Sequence, residues 1–175
     1  MRRNKLKIFF TILLSSILLT FSYAQESLTL KEGMKAPNFK LQDYKNNTYT
    51  LSSFQRKSVV VLYFYPKAGT AGCTKQACDL RDNIKLFKDK NIVVLGISVD
   101  SKKEIKDFVK KYNLNFPLLS DKNKTTAKKY GVLRDDGLAK RVTFIIDKEG
   151  IIRKIIPVSD ISLHAKEVFN IVSEL

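Results

Sequence analysis

Two hydrophobic periods alternate along this chain. Residues 59–65 form an unbroken run of β-branched, aliphatic and aromatic side chains stopped by Pro66, the pattern of a strand buried on both faces. Residues 92–99 repeat it. A third run, 141–147, is followed by Lys148-Glu149-Gly150 and then 151–157, which predicts a closing hairpin and therefore a mixed sheet. Between these runs the period lengthens. Ala77, Leu80, Ile84 and Phe87 fall at helical spacing, as do Ile105, Phe108, Val109 and Tyr112, and later Val168, Ile171 and Val172. Asn46-Asn47 reads as a polar turn joining two short extended segments, 40–44 and 48–51. Ser101 and Ser162 are candidate N-caps, and Gly131 after Tyr130 is a candidate C-terminal stop.

The order strand, helix, strand, helix, strand pair and closing helix predicts a thioredoxin-like α/β fold, with a mixed central sheet flanked by helices. The N-terminus stands apart from that pattern. Arg2, Arg3, Lys5 and Lys7 precede an apolar run, 8–21, that ends at Ser22-Tyr23-Ala24, the order of a secretory signal. At helical rise the run covers about 21 Å, short of the roughly 30 Å hydrocarbon core. Residues 1–24 are therefore read as a cleaved signal peptide, and 25–175 as one exported domain, periplasmic or secreted, with no stable membrane insertion after cleavage. A retained anchor is the alternative.

The whole chain carries a net charge of +15, and without its leader 28 basic residues still face 17 acidic ones. The lysines lie at 85–90, 102–111 and 122–129, interleaved with Asp and Glu at the spacing of solvated helix faces. That arrangement argues for solubility and an acidic partner rather than nucleic acid.

Candidate chemistry is concentrated in two cysteines. Cys73 falls at the start of the first core helix, where unpaired backbone N–H groups and the positive end of the helix dipole favour a thiolate. Cys78 lies five residues on, inside the same predicted helix. On an ideal helix the two Cα atoms would be about 8.6 Å apart, whereas a disulfide requires less than about 7 Å. The pair can bridge only if the turn between them unwinds. A static staple would close too short a loop to remove much chain entropy and would break the helix. A metal site would need more than two thiolates and the single histidine, His164.

Pro66-x-x-x-Thr70-x-x-Cys73 resembles the active-site signature of peroxiredoxins, and Gly72-Cys73-Thr74-Lys75-Gln76-Ala77-Cys78 is similar to the bacterioferritin comigratory protein (PrxQ) subfamily. Further matches occur in order at Gly33 to Pro37, Gly96 to Ser101, Phe116 to Asp121, Tyr130 to Val132 and Arg141 to Phe144. The resemblance implies a thiol peroxidase acting on hydrogen peroxide and organic hydroperoxides. It makes Cys73 the peroxidatic cysteine, and Cys78 the resolving cysteine that closes an intramolecular disulfide. Thr70 would hydrogen-bond thiolate and peroxide, Pro66 would shield the pocket, and Arg141 would supply a permanent positive charge. It also implies a thioredoxin-like reductant and no bound cofactor or metal, and it permits a monomer.

Gln76, Ala71, Ala68 and Gly69 depart from the residues usual in the subfamily, and 133–140 is a shortened segment. These departures bear on loop stiffness, helix opening and the reductant. His164 matches a histidine common near this helix and reads as structural. Two other functions use two cysteines on such a fold. An exported copper chaperone would typically separate its cysteines by three residues, and a disulfide oxidoreductase would use Cys-x-x-Cys; here four residues intervene.

Overall fold

The computed structural model describes residues 29–158, 160, 161 and 164–175. The leader and Ser162, the candidate cap of the last helix, lie outside the described residues. Seven strands make one sheet: β1 (Lys40–Asp43), β2 (Thr48–Thr50), β3 (Val59–Phe64), β4 (Ile92–Ser98), β5 (Leu118–Ser120), β6 (Val142–Ile146) and β7 (Ile152–Pro157). Their order is β2-β1-β5-β4-β3-β6-β7. β3, β4 and β5 pair in parallel, while the pairings β3–β6, β6–β7, β5–β1 and β1–β2 are antiparallel, so the sheet is mixed. The helices are α1 (Ala71–Asp89), α2 (Lys102–Tyr112), α3 (Thr125–Lys129) and α4 (His164–Ser173). Among the described residues no helix is long and apolar enough to cross a membrane.

β3 is the central strand and every residue in it is buried. Side chains alternate across a strand, so Val59, Val61 and Tyr63 enter one core with Ala77, Leu80, Ile105, Phe108 and Val168 from α1, α2 and α4. Val60, Leu62 and Phe64 enter a second core with Leu51, Ala127, Tyr130, Phe144 and Ile152. A strand buried this way has no polar positions, hence the continuous apolar run in the sequence.

Local chemistry stops each element where the sequence indicates. Ser101 closes a reciprocal capping box with Glu104 at the start of α2. Beyond α3, Gly131 takes a left-handed conformation (φ 67°), and the Gly131 and Val132 N–H groups donate back to the Lys128 and Ala127 carbonyls. Asn46 takes a positive φ in the β1–β2 turn, where one Asp43 carboxylate oxygen accepts the Lys45 and Asn47 amides. β5 and α3 are additions to the strand and helix order read from the hydrophobic pattern. β5 is three residues long after Pro117, and α3 spans five, too few for either period to register.

Candidate active site

The loop from β3 to α1 is held at several points. Gly69 takes a left-handed φ of 78°, which lets the chain turn back into the helix. The Ala68 amide donates to Asp100 Oδ2 at 2.8 Å, and the Lys67 ammonium lies 2.8 Å from Asp100 Oδ1 and 2.6 Å from Glu104 Oε1. Glu104 also accepts from Ser101, and these bonds, Lys67 first, pull its carboxyl down to about 2. The same carboxylates raise the Lys67 ammonium. The loop is thus tied to the N-terminus of α2.

Thr70 occupies the N-cap position of α1 with extended backbone, and its carbonyl accepts the Thr74 amide at 2.8 Å. Its side chain makes no capping bond; the hydroxyl donates to the Lys67 carbonyl at 3.0 Å. The structure therefore sets Thr70 beside the helix start without placing its hydroxyl on the Cys73 sulfur. Pro66, half-buried, follows Tyr65, the buried residue just beyond β3.

Cys73 is the third residue of α1 and is 2% exposed. Arg141 reaches it from 68 residues away because β6 pairs antiparallel with β3, Val142 opposite Phe64, which sets Arg141 level with the loop. Arg141 Nη2 donates to Cys73 Sγ at 3.3 Å, and Nη1 donates to Gln76 Oε1 at 2.6 Å. A Cβ at Gly72 would stand 3.2 Å from Arg141 Nη2 and from Ile161 Cδ1, so the glycine leaves room for the guanidinium. The sulfur is thus buried at a helix N-terminus with the Arg141 guanidinium against it, two sources of positive potential at one point.

A family model described as the AhpC/TSA family matches residues 33–155. The chain belongs to that family. It is 40% identical over 153 residues to peroxiredoxin Bcp of Escherichia coli (strain K12), covering 83% of this chain and 97% of the relative. It is 44% identical over 128 residues to chloroplastic peroxiredoxin Q of Oryza sativa subsp. japonica, covering 72% and 58% of the two chains. The solved structure of peroxidoxin BcpB from Mycobacterium tuberculosis superposes with a TM-score of 0.78 at 33% identity, covering 83% of this chain and 98% of that one. This peroxiredoxin is accordingly a thiol-dependent peroxidase acting on hydroperoxides, with a thioredoxin-like protein as the general kind of reductant.

Cys78 of the peroxiredoxin sits on the same unbroken helix, partly exposed, and both cysteines are free thiols. Two residues that the sequence reading set aside prove central to the geometry. Gln76, noted only as a departure, is fully buried one turn after Cys73, on the same helix face. His164, read as structural, is fully buried at the start of α4; its Nδ1 lies 3.2 Å from Gln76 Nε2 and its Nε2 lies 2.8 Å from Thr143 Oγ1. Burial first, and the Arg141 charge second, push the imidazole down to about 4, so it is neutral at neutral pH. The available signal was Gln76 three residues after Cys73; nothing local pointed from it to a histidine 88 residues on.

Both nitrogens of the single histidine are engaged with Gln76 and Thr143, and among the described residues no three His, Cys, Asp or Glu side chains gather as a metal site. Neither a copper carrier nor a thiol-exchange enzyme is favoured over the peroxidase.

Proposed function

We propose that Cys73 is the residue that attacks the hydroperoxide and that Cys78 resolves the product. The observation that carries this reading is the Arg141 guanidinium 3.3 Å from a buried sulfur in the first turn of a helix. The Cys73 thiolate attacks the distal peroxide oxygen, a sulfur–oxygen bond forms, and the O–O bond breaks. The sulfur is oxidised to sulfenic acid, and the leaving oxygen takes a proton and departs as water or an alcohol. Arg141 is stationed where negative charge passes from sulfur to the leaving oxygen. Thr70 exchanges its bond to the Lys67 carbonyl for one to the peroxide, and Pro66 shields that side of the pocket.

Cys78 thiolate then attacks the Cys73 sulfur, the S–S bond forms and hydroxide leaves as water. Because α1 is continuous from Cys73 to Cys78, this step requires the first turns of the helix to unwind. A dithiol of the thioredoxin kind supplies two electrons, returns both cysteines to thiols and lets the helix reform. An intramolecular disulfide suits a monomer. The basic-then-apolar order of residues 1–24 supports export of this chemistry, with 25–175 as the mature domain; intact mass of the exported protein checks that boundary.

The deciding experiment is peroxide consumption by the purified chain with dithiothreitol as reductant. Cys73→Ser is expected to lower the rate to that of dithiothreitol alone. Cys78→Ser treated with peroxide in the absence of dithiothreitol is expected to hold sulfenic acid, or its over-oxidised forms, on Cys73 by intact mass. Full turnover by Cys73→Ser would refute the assignment.

A further inference from the structure

The buried polar chain beyond Cys73 has one direction, set by its arginine. Arginine only donates, so the Gln76 atom 2.6 Å from Arg141 Nη1 must be the amide oxygen. The Gln76 NH2 group therefore faces His164, where Nδ1 must accept. The neutral ring then carries its proton on Nε2 and donates it to Thr143 Oγ1. Each link is forced by the one before it. Arg141 stands immediately before β6 and Thr143 is the second residue of that strand, so the network starts at the mouth of β6, crosses α1 and α4 and returns to the strand at Thr143.

We propose that His164 is a positioning residue for the peroxidase reaction. By accepting one amide hydrogen of Gln76 it holds the oxygen of Gln76 on Arg141, and so holds the guanidinium on the Cys73 sulfur. Without that acceptor the Gln76 NH2 group is buried with no partner, and the amide can turn to satisfy itself. A turned amide presents N–H groups to the guanidinium, which repels Arg141 from its place. The inference rests on Cys73 being the reacting thiolate, but its first readout does not require peroxide.

Because His164 is the only histidine, its ring signals are unambiguous. Nitrogen-15 spectra of the reduced protein near pH 7 are expected to show the Nε2–H tautomer; an Nδ1–H tautomer would reverse the chain and overturn the proposal without any mutation. Among variants, His164→Phe keeps a ring and removes the acceptor, while His164→Asn sets an amide oxygen close to where Nδ1 stood. Alkylation of Cys73 by iodoacetamide at pH 6, read by mass in the Cys78→Ser background, is expected to slow about tenfold in His164→Phe and about threefold or less in His164→Asn, scaled from the roughly 1.4 kcal/mol that one well-placed hydrogen bond is worth. Peroxide reduction by otherwise unmodified chains should fall in the same ratio.

The His164→Phe effect should vanish in an Arg141→Met background, since the histidine acts through the arginine. Loosened packing alone would expose Cys73 and speed alkylation, so an unchanged or faster rate in His164→Phe, or equal losses in the two histidine variants, overturns the positioning role. If Cys73→Ser still turns over peroxide while alkylation follows the expected order, the catalytic assignment fails and the peroxidase role of His164 with it, whereas the hold of His164 on Gln76, Arg141 and the Cys73 sulfur stands.

Discussion

The two faces of the sheet are built on different terms, and β3 shows the contrast in adjacent residues. Phe64 enters a core of rings, edge-on to Phe144 at 5.8 Å and tilted against Tyr130 at 5.2 Å. Tyr63 enters the opposite core, where Gln76, Thr143 and His164 are also buried and where its own hydroxyl finds no hydrogen-bond partner. Only the Tyr63 side carries the cysteines, and on it the first turns of α1 must open for a disulfide to form. The difference teaches that packing and polar contacts are separated by the sheet: one face is built on stacked rings, and the other carries the hydrogen-bonded groups that the proposed disulfide step would disturb.

Breaking the anchor should have the largest effect on stability. Phe144→Ala removes a ring packed on Phe64 and Tyr130 and should cost about 3–5 kcal/mol in urea unfolding, with kcat/KM of the remaining folded protein little changed. A comparable loss from the other face should appear as lost activity instead. Arg141→Met keeps the length of the side chain and deletes the charge, and should lower kcat/KM for peroxide about 10²- to 10³-fold while the unfolding midpoint moves little.

Acid should also act on the chemical face. The unfolded chain protonates its histidine near 6.5, whereas the folded chain resists until about 4, so across that window the unfolded state binds more protons. His164 therefore contributes stability that is fully present above 6.5 and is lost as pH falls towards 4, on the order of 3 kcal/mol in total. Urea midpoints measured from pH 7 down to pH 4 should decline less steeply in His164→Asn, which has nothing to titrate there.

The smallest effects should differ in sign. Tyr130, on the anchoring side, donates to the Pro37 carbonyl at 2.8 Å, and Tyr130→Phe should lose about 1 kcal/mol. Tyr63→Phe removes an unpartnered hydroxyl and should be neutral or stabilising by up to ~1 kcal/mol, read as the shift in urea midpoint. Equal losses in the two variants would erase the distinction between the faces.

Much of this was legible in the chain as written. β3, β4, β6 and β7 and helices α1, α2 and α4 announce themselves because a buried strand and an amphipathic helix each impose a period on nearby residues. The cap at Ser101, the stop at Gly131 and the place of Cys73 at a helix start follow from equally local rules. Pro66, Thr70, Cys73, Cys78 and Arg141 could be named from their resemblance to a family signature, although the Thr70 hydroxyl proved to be turned to Lys67 in this state.

What only the tertiary structure decided are contacts whose partners share no local pattern. β5 has no period of its own; it exists because β4 and β1 offer it unpaired edges. Arg141 meets Cys73 through the β3–β6 register, and Gln76 gains its role from a histidine that α4 delivers to it. A hydrogen bond constrains two groups in space and leaves no spacing rule between them in sequence, so a network of four such groups becomes visible only when the chain has folded around it.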